Sequence, residues 1–123
     1  MLQTVAAGFP SPAEDYADRP LDLHELLIEH PSATFFVRVE GDSMQEAGMH
    51  SGDILVVDRS LNPHSGKIVV ALLNGEFTVK RLKIEGDNIY LIPENSRFPS
   101  IKIEEGMDFQ VWGIVTYVIH RVS

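Results

Sequence analysis

Lys67-Ile68-Val69-Val70-Ala71-Leu72-Leu73-Asn74-Gly75-Glu76-Phe77-Thr78-Val79-Lys80-Arg81-Leu82-Lys83-Ile84 is the stretch that decides the fold. Two runs rich in β-branched and aromatic residues flank Asn74-Gly75, a pair suited to a two-residue hairpin turn because both central positions need positive φ. Strict alternation along the second run puts Phe77 and Val79 on one face. Thr78, Lys80, Leu82 and Ile84 share the other. Outward from this hairpin, strands are expected over 33–39, 54–58, 88–93 and 109–122, with turns at Gly52-Asp53, Asn62-Pro63, Gly86-Asp87 and Glu105-Gly106. No helical pattern separates these strands, so βαβ units are excluded. The expectation is a mostly-β domain, a small barrel or curled antiparallel sheets.

Upstream the pattern changes. Residues 1–20 hold Pro10, Pro12 and Pro20 among small and acidic residues and read as an extended N-terminal arm, leaving 21–123 as the β-rich domain. One short helix is expected over 21–29, capped by Asp22 with Glu25 three residues on, its apolar face Leu23, Leu26 and Leu27, and stopped by Pro31.

Composition narrows the function classes. Eighteen acidic against ten basic residues give a formal charge of −8, which lacks the basic footprint that a nucleic-acid backbone requires, so direct nucleic-acid binding is not expected. The chain has no cysteine, which rules out disulfides, thiolate metal sites and a cysteine nucleophile and suits a reducing cytoplasm. No run approaches the roughly 18 apolar residues of a membrane span, and the start carries no basic signal-peptide region. None of the five histidines stands in HExxH spacing, and no metal or cofactor is expected.

Chemistry is expected at two points. Gly41-Asp42-Ser43-Met44 is a turn in which glycine lets the backbone reverse and hold a hydroxyl clear of a sheet. Lys80 shares its strand face with Leu82 and Ile84, and burial between apolar neighbours disfavours the ammonium and lowers its pKa. A neutral amine is a usable general base, and with Ser43 it makes a Ser–Lys dyad. In such a dyad the backbone N–H groups of Asp42, Ser43 and Met44 are the candidates to hold the oxyanion.

The ordered set Gly41-Asp42-Ser43-Met44, Gly48, 52–58 and 75–82, with serine and lysine 37 positions apart, resembles the LexA/UmuD-type self-cleaving Ser–Lys peptidase family. Gly8-Phe9-Pro10-Ser11, His30-Pro31-Ser32 and Leu91-Ile92-Pro93-Glu94-Asn95-Ser96 place it nearest the UmuD-like branch. The resemblance implies a LexA-like peptidase fold, Ser43 as nucleophile, Lys80 as base and Ala7-Gly8 as the bond cut. It further implies a homodimer, a RecA–single-stranded DNA filament as activator of cleavage, and a UmuC-like Y-family polymerase as partner of the shortened product in the SOS response. Such relatives carry a longer arm, whereas seven residues precede Gly8 here, so a smaller change on cleavage is expected. The helix-turn-helix of the LexA repressors is not present in this sequence, which argues against a repressor.

Competing readings rest on the same residues. A non-enzymatic β-rich module that docks a polymerase, with a vestigial dyad, keeps the fold without the chemistry. A signal-peptidase-like enzyme shares the dyad but needs a membrane anchor. Asp42 is expected to bond the turn backbone, Met44 to line the substrate pocket or fill core, and Trp112 and Tyr117 to be core or dimer contacts.

Overall fold

The hairpin forms as its turn residues require. In the structure, a computed structural model that describes residues 7–8 and 22–123, Asn74 and Gly75 take φ of +48° and +84°, and Leu73 pairs directly with Glu76. The flanking strands are β3 (Ile68–Leu73) and β4 (Glu76–Glu85); before them stand β1 (Thr34–Arg38) and β2 (Ile54–Asp58), and after them β5 (Asn88–Ile92), β6 (Ile101–Lys102) and β7 (Phe109–Ile119). All pair antiparallel in one seven-stranded sheet of order β1-β2-β7-β3-β4-β5-β6.

The mostly-β expectation therefore holds, as a curled open sheet and not a closed barrel. Closure requires β1 to pair with β6, and these are the two edges. The curl comes from β7, where the register slips once opposite Val56/Val57 and once opposite Val70/Ala71. Each slip places an extra residue on β7 (Thr116 and Trp112), and such bulges bend a strand and increase its twist. The Trp112 carbonyl accepts from Arg59 Nε at 2.8 Å. Thr116 Oγ1 donates to the Val56 carbonyl at 3.2 Å.

Alternation divides the interior into two clusters. Leu55, Val57 and Val70 pack with Val39, Met44 and Met49, while Val69, Ala71, Leu82, Leu91 and Ile114 form the other. Both faces of the central strands are thus dry, which is why β2 and β3 read as continuous apolar runs.

The helix is shorter than expected. α1 (Leu23–Leu27) is capped by Asp22, whose carboxylate accepts from the His24 and Glu25 N–H groups, but Ile28 already leaves helical geometry at φ −123°. Leu23 and Leu26 are 59% and 41% exposed, so the apolar stripe lacks the packing that usually lengthens a helix. Pro31 opens a short 3-10 turn, Pro31–Ala33. Strand β6 was not expected, because two residues carry no alternation pattern. The expected arm, 1–20, lies outside the described residues apart from Ala7 and Gly8.

Two buried aspartates anchor β2. Asp58 accepts from His30 Nδ1 at 2.6 Å and from Ser60. Asp53 accepts from His120 Nδ1 at 2.6 Å and from the His50 N–H. These pairs tie the segment before β1 and the segment after β7 to opposite ends of one strand.

Two predictions follow from the packing and the ion pairs. A Cβ on Gly113 meets Val57 Cγ1 at 2.6 Å, and Val57 is fully buried. Gly113→Ala is therefore expected to lower stability by about 1–3 kcal/mol in urea unfolding. The Asp58 hydrogen bond raises the His30 pKa, and burial, opposed and outweighed by bonds from Ser60 and His30, leaves Asp58 lowered. A raised histidine stabilises fully below its ordinary pKa of about 6.5, and this is lost as pH rises through the folded value. A lowered carboxyl stabilises above about pH 4, and this is lost as pH falls. His30→Gln should therefore cost most near pH 5 and progressively less by pH 9 and by pH 3.

Candidate active site

Gly41 (φ +84°) ends the excursion from β1 and begins a turn that carries Asp42 and Ser43. A 3-10 turn, Gln45–Ala47, follows and closes on Gly48. Asp42 is exposed, and among the described residues it bonds through its carbonyl, which accepts from Gln45 N at 3.2 Å and Asn95 Nδ2 at 2.8 Å. The turn is thus held by the Asp42 main chain and not, as expected, by its carboxylate. Met44 is 2% exposed and belongs to the first core cluster while its edge borders the cleft. It anchors the turn, leaving Ser43 half-buried at the rim.

Lys80 comes from the middle of β4, paired with Val69 of β3. Its side chain is only 9% exposed, and Nζ lies 3.1 Å from Ser43 Oγ. Nζ also lies 2.7 Å from Thr78 Oγ1 and 3.1 Å from the Val79 carbonyl. All three partners are neutral, and among the described residues no carboxylate pairs with the amine. Burial without a counter-charge pushes the Lys80 pKa below that of an ordinary lysine.

The three oxygens fix what the amine does in each state. An ammonium donates one proton to each. A neutral amine keeps two N–H groups, for Thr78 Oγ1 and the Val79 carbonyl, and turns its lone pair to Ser43 to accept the Oγ–H. The cleft around the pair encloses about 280 Å³, its walls including Val37, Val39, Gly41, Met49, Phe77 and Thr78. A larger groove of about 700 Å³ is lined by Leu27, Asp58, Leu61, His64, Lys67 and Thr116, among others, and among the described residues the Thr116 hydroxyl bonds the Val56 carbonyl and not His64 or Lys67. The chemistry, not the volume, picks out the smaller cleft.

Among the described residues the N–H groups of Asp42, Ser43 and Met44 meet no acceptor. Ala7 and Gly8 stand in an exposed bend, Gly8 at φ +121°, and are not among the residues lining the cleft. Ser43 and Lys80 are together; the expected scissile pair does not line their cleft. Trp112 packs between Phe35 and Phe77, with centroids at 5.2 and 5.5 Å and the Arg59 guanidinium over its face. Tyr117 is 41% exposed and is not core.

The sequence reading missed the bracket behind the turn. The Glu94 carbonyl accepts from Glu46 N at 2.8 Å, Glu94 N donates to Met44 Sδ, and Glu46 Oε2 accepts from Ser96 N. Arg81, next to Lys80, grips the Glu94 carboxylate. The signal was present as Pro93-Glu94-Asn95-Ser96, a turn-prone polar run that had no role until its neighbours in space were known.

Residues 1–116 match the peptidase S24-like family. Protein SamA of Salmonella typhimurium strain LT2 is 51% identical over 115 residues, covering 94% of this chain and 79% of SamA. Protein MucA of Escherichia coli is 49% identical over 117 residues, covering 94% of this chain and 80% of MucA. The LexA repressor of Xylella fastidiosa is 40% identical over 114 residues, covering 93% of this chain and 54% of the repressor.

Burial of an uncompensated amine opposes folding. Because the folded lysine holds its proton less tightly than the unfolded one, stability should rise with pH between the lowered pKa and about 10.4. Lys80→Met is expected to stabilise by on the order of 1 kcal/mol at pH 7 and to lose this alkaline rise, both read by urea titrations at pH 7 and pH 10.

Proposed function

The chain belongs to the peptidase S24-like family, and from that premise we propose that it is a latent autopeptidase whose Ser43–Lys80 dyad cuts Ala7-Gly8. The observation that carries the reading is the 3.1 Å approach of a buried, uncompensated Lys80 Nζ to Ser43 Oγ. Neutral Lys80 takes the hydroxyl proton as Oγ attacks the Ala7 carbonyl. The Asp42–Met44 turn offers N–H groups to the oxyanion. The lysine proton then passes to the Gly8 amine as it leaves, and water, deprotonated by Lys80, hydrolyses the Ala7 ester on Ser43.

The local sequence suits this role. Ala7 is small enough for a shallow cleft, and Gly8 lets the backbone approach closely. The 35 residues from Gly8 to Ser43 span up to roughly 115 Å when extended, enough to reach the cleft of the same chain or of a partner. On the family resemblance, a RecA–single-stranded DNA filament stimulates the cut in the cytoplasm. The shortened homodimer then serves a UmuC-like Y-family polymerase as accessory subunit in error-prone translesion synthesis. The acidic surface suits a basic protein partner and not DNA itself.

Alkali should replace the activator, because it deprotonates Lys80 directly. Purified protein held for hours at about pH 10 is expected to yield a species starting at Gly8 by mass spectrometry. Ser43→Ala and Lys80→Ala should each slow its appearance at least about 10³-fold. An intact wild-type chain with unchanged circular dichroism removes self-cleavage and leaves the non-enzymatic docking module.

A further inference from the structure

Asn95 is a buried polar side chain, 8% exposed, that the chemistry above does not use. Its Oδ1 accepts from Arg97 N at 3.0 Å, which fixes the amide's orientation and leaves Nδ2 aimed at the Asp42 carbonyl at 2.8 Å. That carbonyl belongs to the peptide unit whose other end is the Ser43 N–H. A trans peptide is planar, with its C=O and N–H pointing in opposite directions, and no described peptide bond is cis. Holding the carbonyl against the 94–96 loop therefore turns the Ser43 N–H away from it, where it meets no described acceptor. Donation to the carbonyl also polarises the peptide and strengthens its N–H as a donor.

We infer that Asn95 is a positioning residue for the oxyanion site, setting the direction and donor strength of the Ser43 N–H through the Asp42–Ser43 peptide plane. This rests on the reading of Ser43 as nucleophile. Asn95 touches neither Ser43 Oγ nor Lys80 Nζ. The loop is separately fastened by Glu46 N to the Glu94 carbonyl and by Ser96 N to Glu46 Oε2, so loss of the Asn95 donor leaves the bracket closed.

The test compares wild type with Asn95→Asp and Asn95→Leu, both close in shape and lacking the donor. Leucine adds no charge and covers the case in which the aspartate variant fails to fold. Single-turnover cleavage is followed from pH 7 to 11, alongside labelling of Ser43 by an alkyl fluorophosphonate. In labelling, Oγ bonds to phosphorus, fluoride leaves, Lys80 takes the proton, and the phosphoryl oxygen occupies the oxyanion site without need of the arm. The expected result is a 10–100-fold fall in both rates at every pH, with the pH midpoint, which reports Lys80, unmoved and the fold retained. Rates within twofold of wild type overturn the inference. So does a midpoint that shifts with the rate, which marks general distortion of the cleft. A wild-type chain that labels but never cuts removes self-cleavage while Asn95 is still judged by labelling; one that neither labels nor cuts overturns both.

Discussion

An amine withdrawn from water and met only by neutral oxygens is the constraint around which this protein is built. Lys80 is held 9% exposed in the middle of β4, opposite Val69 of β3 and one residue before β4 begins its pairing with β5 at Arg81. Its same-face neighbours, Leu82 two residues along β4 and Val69 across on β3, are sealed in the second cluster. Exposed, the same residue would hold its proton far above neutral pH. Given a carboxylate, it would hold the proton more tightly still. The depressed affinity for a proton is therefore a property of the sheet, delivered at one atom, and the sheet's stability is what offsets the cost of keeping that atom dry.

Ser43 is held differently. Ser43 lies in no strand; its turn belongs to the excursion between β1 and β2, whose base is closed by bonds between Val39 and the Gly52-Asp53 pair. Its far side leans on the loop between β5 and β6. Arg81 joins the two systems, since it follows Lys80 on β4 and grips Glu94, whose backbone bonds Met44 and Glu46. The 3.1 Å between Lys80 Nζ and Ser43 Oγ is thus set by a strand and a braced loop together.

Much of the fold was legible because β structure here is written in local signals. Asn74-Gly75 and Gly86-Asp87 each mark a two-residue turn, and the runs at 54–58 and 88–92 needed almost no adjustment. Ser43 and Lys80 were legible through the family resemblance and the lysine's apolar strand face, and the structure brings them together. What could not be read depends on register between distant strands. The two bulges on β7 and the strand order that leaves β1 and β6 as edges have no local signal, and β6 exists only because β5 offers it an edge. His30 and His120 carried no sign that buried aspartates at the ends of β2 would claim them. Asn95 was quoted as part of a motif, yet its work lies in a peptide plane 53 positions earlier.

On the proposed self-cleavage, the modest size of the cleft follows from what a tethered substrate requires. An enzyme that meets free peptides must bind them, and binding takes area. A chain that carries its own scissile bond replaces affinity by effective concentration, so a cleft of about 280 Å³ suffices. On the self-cleavage reading, control then moves from binding to docking. Ala7 and Gly8 sit in an exposed bend and are not among the cleft's lining residues, so on this reading the rate scales with the fraction of chains that bring them in. A partner that prefers the docked state by about 5.5 kcal/mol converts a 1:99 population to 99:1. It need contribute no catalytic group, because Lys80 Nζ already lies 3.1 Å from Ser43 Oγ. On that reading, high pH and a docking partner are two routes to one cut, the first acting on the base and the second on the substrate, and their effects multiply while both the neutral-lysine fraction and the docked fraction are small.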